Sequence, residues 1–188
     1  MLNNPVVILV DVQNDFFTGP LKVKNVREII EPLQRLVAAA RINQVPVIYN
    51  IDAHYPRDFE VTKKWGIHAI KGSPGAQVIT DLKPEEGKDY IVEKRTYSGF
   101  YETGLEPLLR SLYEGEGART LVLGGLHTNI CIRHTSADAF FRGYQIVIVK
   151  DGVEALTLQE QEQSLKYLEY VYNAKLMTAN EIIHEIIK

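Results

Sequence analysis

The chain has 188 residues, 45% hydrophobic and 24% charged, with a net charge of −3. That is the size of one domain with one substantial core, and near-neutrality without a basic run excludes an electrostatic footprint for nucleic acid. The only cysteine, Cys131, excludes an intramolecular disulfide, and no apolar run approaches the roughly 18 residues needed to span a membrane.

A Val-rich run predicts a strand over 5–10. Its leading segment, MLNNPVVILVDVQNDF, has no basic flank and is not expected to be a signal peptide, so the expected location is cytoplasmic. Residues 26–42 follow, with apolar side chains at 26, 29, 30, 33, 36 and 37. That spacing is close to a 3.6 period and predicts a helix, which Pro32 delays or kinks. Strands are predicted next at 45–51 and 90–93, then a helix at 105–113. A strand at 119–123 leads into a helix at 129–142, with Gly143 where a C-cap belongs. A strand at 145–149, a helix at 159–172 and a short strand at 174–177 complete the chain. Tyr167, Tyr170 and Tyr172 on that last helix suit either an interface or a core face with a solvent edge.

The strands read as near-continuous apolar runs, which suits a sheet covered on both faces. Strand–helix alternation predicts an α/β fold with a mainly parallel sheet. In such folds the ligand site lies beyond the carboxyl ends of the strands. The polar residues at those ends are Asp11, Asp52, His54 and Lys94, and Cys131 lies six residues past Gly124-Gly125.

Each of these has a bland reading and a chemical one. Cys131, in GGLHTNICIRHTSADAF, is either a core thiol or a nucleophile whose thiolate is favoured by a helix N-terminus. Asp11 is a turn carboxylate or the general base for that thiol. Asp15 reads as a turn or helix-cap residue. Lys94, in YIVEKRTYSGF, is a solvated strand end or a charge that steadies an anionic intermediate. Asp52 and His54 are two apart, so an extended chain puts them on one side. With His68 they form a plausible set for Zn, Mn or Fe, and Glu60 or Asp58 is a candidate fourth ligand. His134 is expected to be structural or partly exposed.

VDVQNDF, EKRTYSGF and GGLHTNICIRHTSADAFFRGY, in that order, resemble the motifs of the isochorismatase-like cysteine hydrolases. The resemblance runs from about Val6 to Asp151 and treats residues 1–188 as one hydrolase domain. It implies a three-layer α/β/α Rossmann-like fold and a cis peptide between Leu126 and His127. It also implies Asp11, Lys94 and Cys131 as catalytic residues, with the backbone N–H groups of His127 and Cys131 as the oxyanion hole.

Asp52-Ala53-His54 and WGIHAIKGSPGA look most like the nicotinamidases within that family. That likeness implies a divalent metal (Zn, Mn or Fe) on Asp52, His54 and His68, with Glu60 as a further ligand. It implies a substrate pocket of Phe16, Trp65, Tyr97, Leu126 and His127, and it implies hydrolysis of nicotinamide to nicotinate and ammonia in NAD salvage. Relatives carry a small residue at the position of His127, where an imidazole would narrow the pocket or donate a hydrogen bond to a different substrate. Other relatives carry a histidine where Asp58 stands.

Two other readings stay open: a metal-free hydrolase of another small carboxamide or carbamoyl compound, and a non-catalytic binding protein on the same fold. The expected partners are a small-molecule amide and further copies of the chain, as relatives form homo-oligomers, with no nucleic acid and no membrane.

Overall fold

The structure, a computed structural model, describes residues 1–187. Twelve regular elements matter here. They are β1 (Pro5–Val10), α1 (Asn14–Phe17), α2 (Ile30–Ile42), β2 (Val47–Asp52), β3 (Tyr90–Lys94) and α3 (Leu105–Ser111). Then come β4 (Thr120–Leu126), α4 (Arg133–Phe141), β5 (Gln145–Glu154), α5 (Leu158–Tyr172), β6 (Lys175–Met177) and α6 (Ala179–Ile186).

The six strands form one sheet in the order β3-β2-β1-β4-β5-β6. Every pairing is parallel. Alternate side chains of β1 feed two cores. Val7 and Leu9 pack with Leu33, Leu36 and Val37 of α2 and Ile182 of α6. Val6, Ile8 and Val10 face Leu105 and Leu109 of α3, Ala139 of α4 and Leu168 of α5. This is the three-layer α/β/α arrangement that strand–helix alternation implies.

Strand order reverses at β1, whose neighbours are β2 on one side and β4 on the other. A crevice opens beyond the carboxyl ends at such a switch point. Gly125 sets how narrow it is. Its φ is +105°, and a Cβ there would lie 2.1 Å from the carbonyl oxygen of Val10. No other residue lets the end of β4 lie so close to the end of β1. Gly124 and Gly152 play a packing part, because a Cβ on either would meet Leu33 Cδ2 at 2.6 or 2.7 Å.

Pro32 stands in the first turn of α2, after a 3-10 turn over Val26–Ile29, so it delays the helix rather than kinking it. The expected strands and helices all form. Two helices fall outside the expectation, α1 and α6. α1 has only four residues, too few to show a period. α6 is announced by a capping box, Thr178 with Glu181.

Candidate active site

Three strands deliver the first cluster. Asp11 directly follows β1, Lys94 ends β3, and Cys131 sits in a π-helical turn, Thr128–Ile132, between β4 and α4. All three are buried. Asp11 takes a left-handed φ of 52°, which turns the chain sharply off the strand. Its Oδ1 accepts from the Asp52 N–H at 3.0 Å. Lys94 Nζ lies 2.9 Å from Asp11 Oδ2, pairs with Asp52 Oδ1, and lies 3.7 Å from Cys131 Sγ. Asp11 and Cys131 are joined by a hydrogen bond.

The electrostatics of the cluster assign its resting protonation. Burial, then the neighbouring Asp52, pushes the Asp11 carboxyl up to about 7 against the pull of Lys94. Burial also works against the Lys94 ammonium, but Asp11 and Asp52 outweigh it and raise Lys94 well above its usual value. Burial pushes the Cys131 thiol well up, and the Asp11 carboxylate adds to that. The sequence suggested a thiolate favoured by a helix end. The structure reverses this: the sulfur is dry, lies inside the helical turn and faces a carboxylate, so it rests as a thiol.

The second cluster lies alongside. Asp52, His54 and His68 are all buried, and one ligand atom from each lies within 4.8 Å of the others. The His54 and His68 rings meet edge to face at 4.7 Å. Backbone bonds fix this approach, from His54 N–H to Ala69 O at 3.0 Å and from Lys71 N–H to His54 O at 2.9 Å. Both Nδ1 atoms face an acceptor: Gly66 O is 2.8 Å from that of His68, and Asp58 Oδ2 is 3.5 Å from that of His54. An acceptor at Nδ1 orients the ring and leaves Nε2 to a metal. His54 Nε2 is buried without a hydrogen-bond partner and lies 3.5 Å from Asp52 Oδ2. A divalent cation therefore fits the donor set. Burial raises Asp52, but Lys94 and His54 outweigh it and hold the carboxylate at about 2.

Glu60 stands outside this triad of ligand atoms. Its Oε1 is buried and unpartnered, and it lines a charged cleft of about 470 Å³ with Asp58, Lys71, Glu93, Lys94 and Arg95. Asp58 is held at about 2, chiefly by its hydrogen bond to Arg95.

The third component is an apolar pocket walled by Phe16, Leu21, Trp65, Tyr97, Ile130 and Leu156, with Asp52, His68, His127 and Cys131 at its polar end. Phe16 packs edge-on against His68 at 6.0 Å and His127 at 5.5 Å. Trp65 Nε1 donates to Tyr97 Oη at 3.1 Å, which ties two walls together. Leu126 was expected here, but its side chain is buried in the α2-side core with Val122. The twofold alternation of β4 sends it there. The peptide between Leu126 and His127 is cis.

Several supporting residues escaped the sequence reading. Gln13 clamps Asp52 from both sides: Oε1 accepts from Asp52 N–H at 2.9 Å and Nε2 donates to Asp52 O at 2.8 Å. A second bond from Nε2 reaches Ala76 O at 2.7 Å. Asp15 is no helix cap: its Oδ2 accepts from Ala69 N–H at 2.8 Å, beside His68. Gly75 makes room for it, since a Cβ there would lie 2.2 Å from Asp15 Oδ2. VDVQNDF carried the signal, because its polar residues alternate beyond a buried strand. His134 is exposed as expected and packs beside Tyr97 at 5.2 Å.

The profile of the Isochorismatase domain family matches residues 5–181. The N-carbamoylsarcosine amidase of Thermoplasma acidophilum superposes with a TM-score of 0.84 at 37% identity, over 94% of this chain and 96% of its own. The nicotinamidase/pyrazinamidase PncA of Bacillus subtilis gives 0.84 at 29% identity, over 92% and 98%. A plant relative from Arabidopsis thaliana, named "Probable inactive nicotinamidase", is 30% identical over 165 residues, 82% of each chain.

Proposed function

The chain belongs to the isochorismatase family, and on that premise we propose that it is a cysteine amidohydrolase of small carboxamides, with nicotinamide as the leading substrate. The observation that carries this reading is the buried Asp11–Lys94–Cys131 cluster. A binding protein has no use for a thiol hydrogen-bonded to a carboxylate that titrates near neutrality. A nucleophile with its general base has that use.

Substrate enters with its carboxamide toward Cys131 and its body among Phe16, Trp65 and Tyr97. Asp11 takes the thiol proton as sulfur attacks the carbonyl carbon. This order matters, because the free thiolate is costly in so dry a site. The N–H groups of His127 and Cys131 receive the oxyanion, and Lys94 offsets the charge around it. The C–N bond then breaks, and Asp11 returns its proton to the departing ammonia. Water hydrolyses the thioester, with Asp11 again accepting a proton, and frees the acid and the thiol.

Asp52, His54 and His68 would hold the divalent metal. When bound, it offers a heteroaromatic substrate a ligand site that fixes the ring's orientation.

The pocket holds a space of about 20 Å³. That is room for one water by a water-probe measure, so a wall must move to admit an amide. Leu21 lies in a turn and Trp65 in a π-helical turn, Val61–Trp65, outside the sheet that fixes the catalytic cluster.

The test is ammonia release from nicotinamide, pyrazinamide and aliphatic amides, with Zn, Mn or Fe added or withheld. The proposal expects release from an aromatic amide, increased by metal. Silence across the panel in metal-loaded protein would remove the amidohydrolase reading.

A further inference from the structure

The polar end of the pocket contains one group that neither the catalytic cluster nor the metal triad uses. The His127 imidazole is 4% exposed, and its Nε2 is buried with no hydrogen-bond partner. It stands beside Cys131 on the pocket wall and is braced edge-on by Phe16 at 5.5 Å. Burial lowers its pKa to about 4, and a hydrogen bond to the backbone of Leu21 opposes this only in part. The ring is therefore neutral at working pH, with one N–H and one lone pair. A bond that favours the charged ring is one the ring donates, so Leu21 takes the N–H. Since Nε2 has no partner, that N–H is at Nδ1, and Nε2 presents a lone pair.

We propose that His127 Nε2 is a specificity-determining acceptor, selecting amides that carry an N–H donor on the atom flanking the scissile carbonyl. This rests on the amidohydrolase reading above and deepens it: ureido compounds, which carry that N–H, rank above nicotinamide, whose flanking atom is a ring carbon. The His127 side chain lines the same end of the pocket as Cys131, so it meets the atoms next to the carbonyl that the sulfur attacks. An N–H there satisfies the lone pair. A methylene in the same place leaves it buried and unpaired, which is the costly outcome. The sequence left His127 either narrowing the pocket or donating a hydrogen bond; with its N–H on Leu21, Nε2 is left to accept.

For a substrate R–NH–CO–NH2 the chemistry balances with water alone. Cys131 sulfur adds to the carbonyl carbon, the bond to the terminal nitrogen breaks, and ammonia leaves with the proton held by Asp11. Water then cleaves the thiocarbamate to R–NH–COOH and the free thiol, and the carbamic acid falls apart to the amine and carbon dioxide.

The experiment uses an isosteric pair, phenylurea and 2-phenylacetamide, which differ by N–H against CH2. Ureas are intrinsically less electrophilic, so the readout is how the kcat/KM ratio changes with residue 127. Wild type should show a urea-to-amide ratio about tenfold higher than His127→Leu, and His127→Gln, which keeps an acceptor, should recover part of it. Where a variant turns over too slowly, calorimetry of both compounds on Cys131→Ala and on Cys131→Ala/His127→Leu reads the same ratio as affinities. Equal ratios in both backgrounds overturn the role of His127 while ammonia release leaves the amidohydrolase intact. No ammonia from any amide would instead overturn the amidohydrolase reading itself.

Discussion

Lys94 Nζ lies 2.9 Å from Asp11 Oδ2 with both side chains fully shielded from solvent. Lys94 also pairs with Asp52, so one ammonium is shared by two buried carboxylates. A structural role therefore joins the catalytic one proposed for it. Lys94→Met should lose about 3–5 kcal/mol of stability at neutral pH, the usual result of stranding a buried charge. The sign with pH follows from the carboxylates. Without the lysine both rise, Asp11 further above its unfolded value and Asp52 from about 2, so the folded state takes up protons and the deficit shrinks on acidification. Denaturant melts of the variant at neutral and mildly acid pH check this; a deficit that grows in acid contradicts it.

The pH profile reports Asp11. The carboxyl must be ionised to accept the thiol proton, and burial with Asp52 places it at about 7. The kcat/KM profile should rise with pH through about 7 and level off above it. Asp11→Asn should lose nearly all turnover. Cys131 itself should alkylate slowly at neutral pH, because burial and Asp11 keep it protonated. An ascending limb that is absent, or fast alkylation below pH 7, contradicts the assigned resting state.

Metal affinity should depend on Asp58. Its Oδ2 faces His54 Nδ1 at 3.5 Å and is tied to Arg95 Nε at 3.0 Å. Asp58→Asn should weaken zinc binding about 10-fold or more, as loss of an orienting carboxylate does. Equilibrium dialysis against a chelator measures this without turnover. Unchanged affinity would show that His54 is held by its backbone alone.

Much of this was legible from the sequence, for a physical reason. The strands and the residues at their ends follow from local pattern, and the ends of parallel strands converge. Thus Asp11, Lys94 and Cys131 meet from positions far apart in the chain. Gln13, Asp15 and Asp58 were missed or misread because their partners are backbone groups and side chains brought in by folding: Asp52, Ala69 and Arg95. Leu126 was misplaced because a residue beside the site in sequence points to the opposite face of its strand. The thiol's protonation reversed because burial, which no motif records, outweighs the nearby positive charge.

The staple between Asp15 and Ala69 gives a prediction remote from the chemistry. Asp15→Ala leaves the buried Ala69 N–H without its acceptor, at a cost of about 1–3 kcal/mol. Gly75→Ala should act on the same staple by driving a Cβ into the Asp15 carboxylate. Both should lower the melting temperature and weaken zinc binding through His68, and the double variant should fall short of the sum. Full additivity would mean the two residues act separately.

The central claim is a covalent intermediate on Cys131. The most direct measurement is rapid acid quench of metal-loaded protein turning over an amide, followed by mass spectrometry of the peptide that contains Cys131. The account predicts an acyl adduct on that cysteine, present during turnover, gone once substrate is exhausted, and absent with ammonia release in Cys131→Ala. Turnover without an adduct, together with ammonia release by Cys131→Ala at a comparable rate, would contradict it.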